Sequence, residues 1–489
     1  MKSTNKLLKV IVRNLLKPEN KLNFCLKNEE CYIPIPGSEV WRKAQETYKI
    51  LSAAGLQKGA VISVCLDNTP LFLNIYLASL IGKWVFAPIM TSLDEDEQKR
   101  RLDILSPAVL FVSNDDELDY SGTPVYFFDE YNVIPSDFSS IKLAKKHLVL
   151  PKGNFIHWTS NRDGGQSKGV IHVSQNLLSS LNSYESVLTG IHIKNQLAVE
   201  PWSHSFGHIF GLTSALYYGH NLFGSSYKCL QSESRVAKLL SCNIDIINAS
   251  PQIFATLTNF DPGRLMIRNL KKGIVGGTAI TEELCSAIMP FSQNLYSAYC
   301  VTEAAPCVCI SRRGAIRPNL MGRPRGTKIR ITKKAVLEFC NPSAHIAYLD
   351  ENGVLKADDL WHSTGDIVSK KWKDYYYEGR YKSAFKLALG YWVIPEKVEE
   401  VLKSRLPGIN PGIVCGEGAS HWYCLVDEEP GELPGILPNR VEALFGGWIT
   451  LRNEILDSFK DKNGNIIRTR VNSWFEINRK KIVHTIDSC

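Results

Sequence analysis

Three short blocks of this 489-residue chain gather residue types that handle anions and hard cations. The first, Thr159-Ser160-Asn161-Arg162-Asp163-Gly164-Gly165-Gln166-Ser167-Lys168-Gly169, joins small residues to a lysine. Small residues let backbone N–H groups approach phosphate oxygens while the Lys168 ammonium neutralises them, so the loop suits a triphosphate. The second, Tyr299-Cys300-Val301-Thr302-Glu303, combines an aromatic face suited to a base, a hydroxyl suited to a phosphate and a carboxylate suited to a hard cation. The third, Thr364-Gly365-Asp366 followed by Gly379-Arg380, offers a carboxylate whose two oxygens can accept from a vicinal diol. Each of the first two blocks alone has an ordinary structural source: a glycine-rich surface turn before a lysine, or a buried aromatic ahead of a Thr-Glu helix start.

The order and spacing of the three blocks resemble the adenylate-forming superfamily of acyl-CoA synthetases, firefly luciferase and peptide-synthetase adenylation domains, over nearly the whole chain. The resemblance implies that Thr159, Ser160, Gly164 and Lys168 face the phosphates of ATP. Tyr299 would pack on adenine, Thr302 would meet the α-phosphate and Glu303 would hold Mg2+. Gly276-Gly277-Thr278 resembles the turn beside the adenine and acyl pocket, and Met321-Gly322-Arg323-Pro324 a second family turn. Asp366 would take both ribose hydroxyls of ATP or AMP, assisted by Arg380. Glu200-Pro201-Trp202-Ser203-His204-Ser205-Phe206-Gly207-His208 resembles the block that sets a histidine near the bound carboxylate, which makes His204 the candidate. A half-buried structural histidine is the alternative there. No aspartate occurs in that segment to pair with a substrate ammonium, which points to a carboxylic acid without an α-amino group. Cys300 stands where the family has glycine and is expected to reshape the pocket.

Other departures concern the first half-reaction. In the phosphate loop Asn161, Arg162, Asp163 and Ser167 replace a glycine, two hydroxyl residues and a proline, and the loop is longer by a residue. Near the C-terminus the resemblance calls for a Gly-Lys pair with an arginine three residues on, the lysine bridging carboxylate and phosphate. Here the segment reads Gly464-Asn465-Ile466-Ile467-Arg468, so an amide stands where a cation would lower the barrier. Lys460 and Lys462 are the nearest cations in sequence. The implied enzyme is an adenylate-forming ligase that activates a small carboxylic acid and passes it to CoA, a carrier-protein phosphopantetheine thiol or another nucleophile. A transfer-only enzyme with impaired adenylation, or a non-catalytic nucleotide- or acyl-binding protein, is the alternative.

The elements that must position these residues follow an α/β rhythm. Val61-Ile62-Ser63-Val64-Cys65-Leu66 predicts a buried strand, Pro70–Leu80 a helix and Trp84-Val85-Phe86-Ala87-Pro88 the next strand. The rhythm returns at Ala108–Val112, Gln196–Val199 and Gly273–Gly277, the last leading into a helix from Thr281, and Lys168-Gly169-Val170 is expected to lead toward a helix. Residues 1–380 are expected to form a large N-terminal body of helix-covered sheets, which the resemblance implies binds nucleotide and acyl group. Residues 381–489 are expected to form a small α+β C-terminal domain, which the resemblance implies is mobile about a hinge near Lys382. An apolar fraction of 44%, a charged fraction of 22% and a net charge of +8 spread along the chain fit a globular protein without a concentrated nucleic-acid-binding face. Thirteen cysteines, an odd number without Cys-x-x-Cys spacing, read as reduced thiols. The start lacks a secretory pattern, and the longest apolar stretch, Leu71 to Ile81, is too short to span a bilayer. A cytoplasmic location is expected.

Overall fold

The computed structural model describes residues 2–25, 32–113, 120, 123–128, 141–159, 166–190, 192–356, 360–388, 391–406, 412–428, 444–460 and 466–486. Two large sheets dominate the body. Among the described residues one has eight strands and is parallel at Val61–Cys65, Val85–Ile89, Val109–Ser113 and Val125–Phe128, with an antiparallel extension through Phe155–Trp158, Gly169–His172 and Ala347–Asp350. The other has thirteen. Its parallel centre runs through Leu295–Cys300, Lys272–Gly276, Ile246–Ala249, Asn195–Ala198 and Asn221–Gly224, and an antiparallel wing carries Cys307–Ile310, Leu320–Pro324, Asp374–Arg380 and His362–Lys371.

The helix Pro70–Gly82 is buried along nearly its whole length, between the helices Lys2–Leu15 and Gly37–Ala53 and the strand Val85–Ile89, which explains why its sequence is apolar on almost every side. Thr69 caps it, accepting from the Phe72 N–H at 3.3 Å, and Pro70 fills the first turn, where a missing N–H costs nothing. Phe72 meets Phe86 edge-on in one direction and Trp202 in the other, and Tyr76 touches Phe155. Each such buried ring contributes roughly 1.5–3 kcal/mol.

The smaller C-terminal domain has a three-stranded sheet, Ile413–Cys415, Trp422–Val426 and Phe445–Thr450, covered by the helices Pro395–Arg405 and Arg468–Ile486. Arg468, only 6% exposed, is held by both oxygens of Glu399 and by the Val414 carbonyl at 3.3 Å. Helix Pro395–Arg405 also touches the body, with Lys397 Nζ 2.5 Å from Glu378 and Asn319 Nδ2 donating to Glu400 at 2.9 Å. Lys382 lies in the turn between the strands Asp374–Arg380 and Phe385–Lys386. Among the described residues no helix is long and apolar enough to cross a membrane.

One local expectation fails. After Lys168 the chain enters a strand, Gly169–His172, and only then the helix Ser174–Leu188. Gly169-Val170-Ile171-His172 pairs with Phe155–Trp158 on one side and Ala347–Asp350 on the other, so a buried slot in the sheet overrides the short-range signal.

Candidate active site

The phosphate-loop candidate is the connection of a β-hairpin. Thr159 N–H donates to the Lys168 carbonyl at 3.0 Å and Lys168 N–H donates to Thr159 Oγ1 at 2.9 Å, so the two ends of the loop are clamped together. Ser167, buried just before Lys168, receives Arg100 Nη2 at 2.6 Å and donates to Glu97 at 2.5 Å. Burial alone would raise the Glu97 carboxyl, but hydrogen bonds from Arg100, Ser167 and Arg101 prevail and hold it down at about 2. Ser160, Asn161, Arg162, Asp163, Gly164 and Gly165 lie outside the described residues.

Five other segments converge with this hairpin on a cavity of about 150 Å³. Its walls include Thr159, His204, Gly277, Thr278, Tyr299, Cys300, Thr302, Glu303, Asp366 and Arg380. Gly276 and Gly277 end a central strand with little room to spare. A Cβ on Gly276 would lie 2.7 Å from the Ala298 carbonyl oxygen, and Gly277 has φ +89°, a left-handed conformation that other residues adopt at a cost. His204 follows Asn195–Ala198 at the entrance to a helical segment and accepts a long bond, 3.4 Å, from the Phe206 N–H. The connection before it is pinned by Asn68, whose amide donates to Glu200 O and Ser225 O, each at 2.9 Å, and accepts from Trp202 N–H at 2.8 Å.

Tyr299 and Arg380 both engage Asp366. The phenol donates to Oδ2, and Arg380 Nη1 sits 3.0 Å from Oδ1 while also donating to the Thr364 carbonyl at 2.7 Å. Burial and then the charge of Asp366 push the Tyr299 phenol well above its usual range, so it acts as a neutral donor. Thr302 is held from behind by His172, whose Nε2 bonds the Thr302 carbonyl at 3.0 Å. Burial raises the Glu303 carboxyl, with Arg380 and the Tyr348 hydroxyl acting in the opposite direction.

Lys168 is not in the cavity wall. Its ammonium lies 3.6 Å from Asp350 Oδ2 and 5.9 Å from the centre of the Tyr348 ring, and the Tyr348 hydroxyl reaches Glu303 Oε1 at 3.4 Å. Tyr348 therefore stands between the candidate lysine and the candidate metal ligand. Sequence reasoning missed it, as it missed Asn68, because both come from strands and loops far away in the chain and carry no local motif. A group of buried histidines behind the site was also missed: His157 and His208 bond at 2.8 Å, and burial lowers His208 to about 3 and His172 to about 4. Burial keeps them neutral, and among the described residues the Lys or Arg in the cavity wall is Arg380. Asn465 lies outside the described residues; the segment that holds it leaves Lys460 and returns at Ile466, which are bridged to each other.

A carboxylate beside a hydroxyl and a phenol suits a Mg2+ that keeps waters and phosphate oxygens as its remaining ligands, since this ion is commonly held through one or two carboxylates. Among the described residues no group of three or more acidic, histidine or cysteine side chains forms a closed metal cage.

The family model described as "AMP-binding enzyme" matches residues 36–344. Luciferin 4-monooxygenase of Photinus pyralis is 22% identical over 479 residues, covering 87% of this chain and 82% of that protein. A solved structure of fatty acyl-adenylate ligases from E. coli and L. pneumophila has a TM-score of 0.74 at 14% identity, covering 97% of this chain and 98% of the other. McyG A-PCP complexed with phenylalanyl-adenylate has a TM-score of 0.73 at 13% identity, covering 99% and 85%. The match across residues 36–344, on a fold shared along almost the whole length, makes this chain a member of the AMP-binding enzyme family within the adenylate-forming superfamily.

Proposed function

We propose that this protein is an ATP-dependent ligase that converts a small carboxylic acid to its acyl-adenylate and passes the acyl group to CoA, a carrier-protein phosphopantetheine or another nucleophile. The observation that carries this reading is the meeting of Thr302, Glu303, Asp366, Arg380 and His204, from separate parts of the chain, on one cavity. In this reading Tyr299 and Thr278 flank the base, Asp366 and Arg380 take the ribose, and Thr302 donates to the α-phosphate. Glu303 holds Mg2+, which would neutralise phosphate charge. His204 donates to the incoming carboxylate, the two anions being brought together by donors fixed in advance. Among the described residues the carboxylates in the cavity wall are Glu303 and Asp366, both assigned to the nucleotide side, which supports an acid without an α-amino group. A hinge near Lys382, between residues 1–380 and 381–489, would bring the C-terminal segment to the cavity.

A second reading has its own support. Asn465 in place of a lysine, together with the altered phosphate loop, would weaken the adenylation half, since both departures concern that half-reaction. ATP–pyrophosphate exchange with fatty, aryl and amino acids, run beside Asn465→Lys, separates the two. Exchange by the wild type with one acid class establishes the ligase. Silence from the wild type with exchange from Asn465→Lys would favour the transfer enzyme, and silence from both would sink the adenylation reading.

A further inference from the structure

The hairpin of His362–Lys371 and Asp374–Arg380 holds Asp366 and Arg380 at its base and runs outward to a two-residue turn, Trp372-Lys373. Trp372 is 97% exposed, more than any other large apolar side chain among the described residues. Its φ of +60° is a left-handed conformation that a bulky side chain adopts only at a cost, so this turn gives up both burial and backbone ease to hold an indole in solvent. Lys370, Lys371 and Lys373 flank it along the hairpin and are exposed. Behind them Lys370 and Lys371 lie over the rings of Tyr375 and Tyr376, at 5.4 and 5.1 Å. The carboxylates of this strand are already matched: Asp374 to Arg323 at 2.7 Å and Glu378 to Lys397 at 2.5 Å. The tip is therefore a cationic collar around one projecting indole.

We propose that this tip docks the protein peripherally on an anionic lipid surface, with Trp372 at headgroup depth and Lys370, Lys371 and Lys373 above the acidic headgroups. Indole rings favour that depth because one part is apolar and the N–H is wet, and lysines close to an acidic leaflet each strengthen attachment about fivefold. The geometry disfavours a protein partner. A specific protein interface buries about 800 Å² on each side around a packed core, whereas a convex two-residue tip ringed by ammonium groups has no groove or flat face to supply one. A headgroup layer is fluid and needs only the ring and the charges. Attachment would bring the hairpin that bears Asp366 and Arg380 to a phase where apolar acids concentrate; the proposal itself does not depend on the reaction assigned above.

The test is sedimentation of the full chain with vesicles of phosphatidylcholine alone and of phosphatidylcholine mixed with phosphatidylglycerol, at low and physiological salt. The wild type is expected to pellet with the mixed vesicles only, and less as salt rises. Lys370→Glu/Lys371→Glu/Lys373→Glu should lower partitioning by about a hundredfold or more. Trp372→Gly keeps a residue suited to φ +60° while removing the ring, and should lower it about tenfold and abolish the quenching of tryptophan emission by brominated lipid. Circular dichroism checks that each variant is folded. Wild-type protein that ignores mixed vesicles at low salt would overturn the proposal and leave an acidic protein as the tip's partner. Binding that is equal in wild type and both variants would also overturn it, by assigning the lipid contact to another surface.

Discussion

Glu303 and Asp366 carry the residue-scale predictions because each holds a charge that the cavity makes costly. Glu303→Gln keeps the shape but removes the negative charge that a hard cation needs, and magnesium-dependent exchange should fall by about a hundredfold or more. Unchanged exchange would remove Glu303 from the metal role. Since burial raises its carboxyl, the protonated form persists to higher pH than for an ordinary glutamate. A proton on Glu303 competes with the cation, so Mg2+ affinity should weaken as pH falls through this raised range; an affinity independent of pH there would argue that another group holds the ion. Asp366→Ala strips Tyr299 and Arg380 of their shared acceptor, and AMP affinity measured by calorimetry should drop by about tenfold or more. Tyr348, unremarkable in the sequence, matters only because it stands between Lys168 and Glu303.

At the scale of elements, the phosphate-loop hairpin depends on a charge cluster carried by the helix Glu95–Leu105. Arg100 and Glu97 grip Ser167, and Arg100 also reaches Glu351 on the far side of the hairpin. The folded-state carboxyl of Glu97 is depressed to about 2 from an ordinary 4.5, so its contribution to stability is fully present above the unfolded value and is lost as pH falls from about 4.5 toward 2. Glu97→Gln should lower the melting temperature at neutral pH, and the difference from wild type should shrink across that acid window. A difference independent of pH would mean that shape, not charge, is what Glu97 supplies. The sequence indicated a glycine-rich loop with a lysine but misjudged the next element, because strand or helix after Gly169 was decided by the partners Phe155–Trp158 and Ala347–Asp350.

At the scale of the whole molecule, Arg468 ties the last described helix to the first helix of the C-terminal domain through Glu399. Removing one partner leaves a buried charge uncompensated, so Arg468→Met should destabilise the domain by about 3–5 kcal/mol in denaturant titration, and Arg468→Met with Glu399→Met should recover most of that. A mild single-variant effect would show that water reaches the pair. The sequence by itself determined the family resemblance, the α/β alternation and most of the cavity residues, because small turns, buried β-branched strands and ligand-facing side chains each leave a mark at fixed spacing. It marked Arg468 as a kept motif residue without revealing its ion pair with Glu399. Only the tertiary structure decided the contacts between distant segments: Tyr348 beside Glu303, Asn68 holding the loop before His204, Tyr299 on Asp366, and a collar of lysines around an indole in open solvent. Such pairings arise from the register and packing of sheets that close over long stretches of chain, and local spacing carries no record of which strand becomes whose neighbour.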